Sequence, residues 1–173
     1  GYILALLLNA VLQESTHPDP LSMATTYFRP SVAGPAEIVV RELRSGRRVS
    51  TYDALLTQDG KDVAHAVVST HDWDVAGAQV HSAVTAPDVP KPDDCEDISA
   101  LIPAGAFPIL DRYDYRAPTL PGWLQGKPSG VMDGVSWIRA KDDRPIDAML
   151  AAAMTDAFPP VTAEIGNMAS ATV

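Results

Sequence analysis

Cysteine is almost absent from this chain: Cys95 is the single one. One thiol cannot close an internal disulfide, and it leaves a cysteine-based zinc site without ligands. A reducing setting is expected, hence a cytoplasmic location. Basic residues are also scarce. Thirteen Lys+Arg stand against 22 Asp+Glu, for a net charge of −9 at pH 7. That balance argues against nucleic acid or an anionic membrane surface as the main partner. Long apolar runs are missing too. The stretch that begins at Tyr2 stops at Leu12, too short to span a bilayer. It lacks the basic flank and the small-residue cleavage site of a signal peptide, so a buried helix is expected. His65, His71 and His81 show no ligand spacing and no Gly-rich phosphate loop occurs, so no metal or redox cofactor is expected.

What is present suffices for a core. Hydrophobic residues make up 46% of 173 positions and charged residues 20%, which suits one ordinary domain or two small ones. Gly1 opens inside an apolar segment and the chain closes on Val173, so a longer parent protein is expected. Tyr2–Gln13 is apolar on nearly all sides and predicts an enclosed central helix. Prolines at 18 and 20 shape the exit loop. Four strands are predicted next, over Leu21–Phe28, Ala36–Arg44, Arg47–Thr57 and Asp62–Thr70, as an antiparallel meander. Asp59-Gly60 marks the last hairpin.

From Val75 to Gly130 the texture changes, with eight of the 15 prolines and the acidic knot Asp93–Asp97. An extended linker packed on a surface is expected there. Val131–Lys141 returns to strand character. Arg144-Pro145-Ile146-Asp147 then opens a second helix, Ala148–Ala157, which Phe158-Pro159-Pro160 stops. The halves echo each other: each has an apolar helix, with Asn9 and Asp156 in comparable late positions.

Gly1–Leu8 resembles the first helix of double-hot-dog acyl-CoA thioesterases. His17–Ser22, Tyr27-Phe28-Arg29-Pro30 and Gly46–Ser50 resemble their first repeat. Trp137-Ile138-Arg139, Arg144–Asp147 and Asp156–Pro160 resemble the surroundings of their second helix. The resemblance implies an α+β fold, a double hot dog with a long antiparallel sheet wrapped around central apolar helices. It divides the chain into a first repeat over 1–74 without its start, a Pro-rich acidic linker over 75–130, and the beginning of a second repeat over 131–173. It implies hydrolysis of an acyl thioester, with acyl-CoA as the substrate class, and a homo-oligomer. Asp156 matches the family's catalytic carboxylate at the end of the second helix. Thr172 lies where its hydroxyl partner is expected, and the third member, a Gln, falls beyond residue 173. A carboxylate in that place takes a proton from water, its partners orient the water, and amides at a helix start hold the oxyanion. Without the resemblance, Asp156 is a helix-end Asp bonded to its own loop and Thr172 a plain strand residue.

Other residues divide between function and structure. Asn9 either sits at a degenerate counterpart of the site or bonds a neighbouring strand. His17 and Asp19 suit a proline-framed turn, although hydratases and dehydratases of the same fold also use His and carboxylate. Arg41, Arg44, Arg47 and Arg48 suit coenzyme A phosphates, and equally the protection of a sheet edge. Trp123, Tyr113 and Tyr115 suit either an acyl tunnel or plain aromatic packing. A non-catalytic acyl-binding or assembly domain is the third reading, because fold alone does not fix function.

Overall fold

Alternation is strongest in the stretch Val49–Gln58, where Ser50, Tyr52, Ala54 and Leu56 turn inward and their neighbours outward. Such a period-2 pattern is that of a strand with one buried face. A computed structural model describes residues 1–74, 81–103 and 105–167. These residues form two units, one of 1–74, 81 and 146–156, the other of 82–103, 105–145 and 157–167.

The first unit holds helix α1, Tyr2–Glu14, and strands β1 (Asp19–Tyr27), β2 (Glu37–Arg44), β3 (Val49–Gln58) and β4 (Lys61–His71). The β3–β4 hairpin turns on Asp59 and Gly60, whose φ values of 49° and 69° are both left-handed. A two-residue turn of this kind matches strand twist, and the glycine tolerates its backbone without strain. The sheet order is β1-β4-β3-β2. The expected simple meander is therefore corrected: β2, β3 and β4 follow it, but β1 pairs with β4. The segment after β1, with Pro30, Gly34 and Pro35, carries the chain to the opposite edge instead of turning back on β1.

Leu7, Leu8 and Val11 of α1 bury against Tyr52, Ala54 and Leu56 of β3 and Ala64, Ala66 and Val68 of β4. Small residues at 54, 64 and 66 let the helix approach the sheet. The expectation of a helix enclosed on all sides is corrected. Asn9 is exposed and Tyr2 is 76% exposed, because the sheet covers one face only. Polar bonds fix the helix exit. Ser15 Oγ and Thr70 Oγ1 lie 2.8 Å apart, and the Thr16 amide donates to Tyr52 Oη at 3.3 Å. Helix α2, Ala148–Met154, completes this unit and packs beside α1.

The second unit contains a three-stranded antiparallel sheet, in order β5 (Glu96–Asp97), β6 (Tyr113–Ala117) and β7 (Trp137–Ala140). Two of these strands lie in the stretch read as linker. In β6, Tyr113, Tyr115 and Ala117 are buried while Asp114 and Arg116 face out. The alternation covers five residues amid prolines, too short a signal to stand out in the sequence.

Candidate active site

Helix α2 is short for a physical reason. Asp147 caps it, accepting from the Leu150 amide at 2.7 Å, and the Ala-rich turns end at Met154 before Phe158-Pro159-Pro160. Asp156 therefore lies just past the helix, not within it as the sequence suggested. Leu150 and Met154 are buried. Gly1 lies so close that a Cβ there would overlap the Ala153 carbonyl oxygen. Only glycine permits this approach of the start of α1 to the end of α2.

The approach brings two groups together. The Gly1 nitrogen donates to Asp156 Oδ2 at 2.6 Å, while Oδ1 takes no hydrogen bond among the described residues. Among the described residues no side chain caps α1, and its first intrahelical bond runs from the Ala5 amide to the Gly1 carbonyl. The amides before Ala5 have no intrahelical acceptor and lie at the positive end of the helix dipole, which favours an anion. Asp156 is 43% exposed, so solvent reaches it. Tyr27, the last residue of β1, packs against the core of α1 and the sheet. Its Oη is buried without a partner among the described residues. Burial, and then the charge of Asp156, push the phenol above its ordinary pKa.

Thr172 lies outside the described residues. Among the alternative candidates, His17 Nε2 is tied to the Gly46 carbonyl oxygen at 2.9 Å, which makes it part of a turn. His71 Nδ1 bonds the Arg48 carbonyl oxygen at 2.6 Å. Arg41 forms a two-point pair with Asp53, at 3.3 and 2.7 Å, and holds that carboxyl below the usual range. Among the described residues no three His, Cys, Asp or Glu side chains gather as a metal site. No described helix is long and apolar enough to cross a membrane.

The second unit has a cavity of about 630 Å³ lined by Ile98, Leu120, Trp123, Val135, Phe158 and Val161, with Glu164 on its wall. Trp123 thus lines a cavity, whereas Tyr113 and Tyr115 are strand core. Tyr115 is 1% exposed and donates to the Ala157 carbonyl at 2.7 Å. Burial pushes its pKa up to about 12. Tyr115→Phe leaves that acceptor unpaired, at a cost of about 1–3 kcal/mol, or roughly 2–12 °C in Tm. Thermal unfolding at neutral pH checks this. In the wild type the contribution is full below pH 10.0 and fades as pH rises towards about 12.

Glu164 is buried at 6% exposure. It accepts from the Ser129 amide at 2.6 Å and the Trp123 amide at 3.4 Å. These bonds, Ser129 first, hold its carboxyl below the ordinary 4.5 against the opposing effect of burial. A depressed pKa stabilises the fold above the unfolded value, and the gain is lost as pH falls below it. Glu164→Gln is expected to lower Tm at pH 7 and to reduce the further loss on acidification through pH 4.5, as read by thermal unfolding at several pH values.

The sequence matches the profile of the acyl-CoA thioesterase N-terminal domain over residues 1–71 and that of the C-terminal domain over 92–173. The chain belongs to the acyl-CoA thioesterase family. Its fold is the hot dog, α+β as expected. A candidate thioesterase II from Thermobifida fusca YX superposes with a TM-score of 0.80 at 24% identity, covering 95% of this chain and 62% of that one. A candidate thioesterase from Novosphingobium aromaticivorans DSM 12444 gives 0.75 at 26%, over 95% and 61%. A hot dog fold protein of unknown function from Alicyclobacillus acidocaldarius gives 0.77 at 23%, over 93% and 58%. This chain thus spans less than two thirds of the length of those structures. No curated protein sequence matches it.

In this member of the family, Asp156 and the start of α1 are adjacent although 155 residues separate them in sequence. The sequence reading singled out Asp156 but missed its contact with Gly1 at the start of α1.

Proposed function

We propose that this chain carries the hydrolytic site of an acyl-thioester hydrolase, with acyl-CoA as the substrate class and Asp156 as general base. The observation that carries the reading is the placement of Asp156 beside the start of α1, with Oδ2 2.6 Å from the Gly1 nitrogen. Membership of the acyl-CoA thioesterase family supports the substrate class. A water beside Asp156 Oδ1 gives up a proton as its oxygen attacks the thioester carbon. The amides at the start of α1 are the proposed donors to the developing oxyanion, at the positive end of the helix. Thr172 is the proposed hydroxyl that orients the water.

The hydratase or dehydratase reading needs a His beside a carboxylate in the site, and His17 is engaged with the Gly46 carbonyl instead. The test is thiol release by the whole protein from acyl-CoAs of short to long chain. Turnover on part of the panel supports the reading and gives the chain-length class. Tight binding of acyl-CoA without turnover sinks it in favour of the acyl-binding reading.

A further inference from the structure

We infer that the turn between β2 and β3, with Arg44, Arg47 and Arg48, binds the nucleotide end of coenzyme A, so that the thioester is presented on coenzyme A and not on a carrier protein. The inference rests on the hydrolase reading above. Basic side chains are few in this acidic chain, yet these three fall within one short stretch. All three are exposed. None forms an ion pair among the described residues, whereas Arg41 on the same strand is held by Asp53 at 2.7 Å. Arg47 and Arg48 lie past the end of β2, in the turn, so protection of a strand edge does not account for them. Guanidinium groups match phosphate oxygens in both shape and charge.

The turn is held in shape. A Cβ on Gly46 would overlap the Val49 carbonyl oxygen, and the Gly46 amide donates to Ser50 Oγ at 3.3 Å. Two imidazoles brace it from either side. His17 Nε2 donates to the Gly46 carbonyl at 2.9 Å and His71 Nδ1 to the Arg48 carbonyl at 2.6 Å. Two oxygens that would repel an anion are thereby covered. His71 also meets Trp73 edge to face, with ring centroids 5.2 Å apart. Trp73 is 50% exposed, and a half-open indole offers adenine a stacking face. Carboxylates occur around the turn as well. Glu42 accepts from the Tyr52 hydroxyl at 3.2 Å, Asp19 from the Trp73 amide at 3.1 Å and Asp72 from the Asp74 amide at 3.0 Å. The turn lies at the far end of α1 from Asp156. That helix starts at Gly1, bonded to Asp156, and its exit is tied to the turn through His17. Its 13 residues measure about 20 Å, and exposed Tyr2, Asn9 and Gln13 leave one face open along it. Acyl-CoA has the same plan: a thioester at one end, phosphates and adenine at the other, and a pantetheine arm of that order between them.

The experiment measures kcat and KM of the whole protein for an acyl-CoA and for the matching acyl-pantetheine, which lacks the nucleotide. Wild type is compared with the double variant Arg47→Ala/Arg48→Ala, whose exposed substitutions are expected to keep the wild-type Tm. Calorimetric titrations with adenosine 3′,5′-bisphosphate and with pyrophosphate run beside it. The double variant is expected to raise KM for acyl-CoA and to weaken nucleotide binding, each at least about tenfold, with KM for acyl-pantetheine within about twofold of wild type. Pyrophosphate is expected to bind more weakly than the nucleotide, because it has no base to stack. Equal KM shifts for the two substrates, or nucleotide binding that is absent or unchanged by the variant, overturn the inference. Continued turnover then leaves the hydrolase reading standing. Pyrophosphate that binds as tightly as the nucleotide also overturns it, making the turn a general anion site. Nucleotide binding by a wild type that turns over no acyl-CoA supports the turn as a coenzyme A site and sinks the hydrolase reading. Neither binding nor turnover removes both.

Discussion

Asp156→Asn is expected to lower acyl-CoA turnover by at least about a hundredfold while leaving the fold intact. Asparagine has nearly the same shape. Its carbonyl oxygen still accepts from the Gly1 nitrogen, so the contact between the end of α2 and the start of α1 persists. What it loses is the capacity to take a proton from water. The stability change is small, below about 1 kcal/mol, because a half-exposed carboxylate near a helix start contributes no more than that. Thiol release and thermal unfolding on the same samples check both halves. Equal rates in the two proteins make Asp156 a structural helix-end residue.

Leu7→Ala has the largest expected effect on stability. Leu7 is fully buried in α1, in the cluster with Tyr52, Ala54 and Leu56 of β3 and with β4. Truncation removes buried apolar surface and leaves a void that a flat sheet face of small residues cannot close. The expected loss is about 2–5 kcal/mol, or roughly 4–20 °C in Tm. Chemical denaturation should show a lower midpoint with an unchanged slope. A loss below about 1 kcal/mol would mean that α1 does not depend on this contact. The variant also bears on the proposed site, since α1 carries Gly1 to Asp156. A displaced α1 is expected to lower kcat even where the protein stays folded.

Several elements were legible in sequence because their causes are local. The apolar run from Tyr2 specifies a helix whatever it packs against, and the structure ends that helix at Glu14. Alternation in β3 and β4 and the Asp59-Gly60 turn specify a hairpin, and the register Gln58↔Lys61 follows from that turn. The motif set around Gly1, Tyr27 and Asp156 pointed to the family whose two domain profiles the chain matches. The weaker readings failed for identifiable reasons. Proline density hid β5 and β6, because strands of two and five residues give too few positions for a period to emerge. The second helix was read too long because alanine has high helix propensity and the stop lies in the Phe158-Pro159-Pro160 run after it.

Sequence by itself determined the helix, the hairpin and the residue types of the candidate site, because each depends on neighbours a few positions away. Tertiary structure alone decided which segments meet. The pairing of β1 with β4 rather than β2 depends on a crossing whose alternatives look alike in any local window. The contact of Asp156 with Gly1 joins residues 155 positions apart. It exists because α2 packs beside α1 and because glycine alone fits against Ala153.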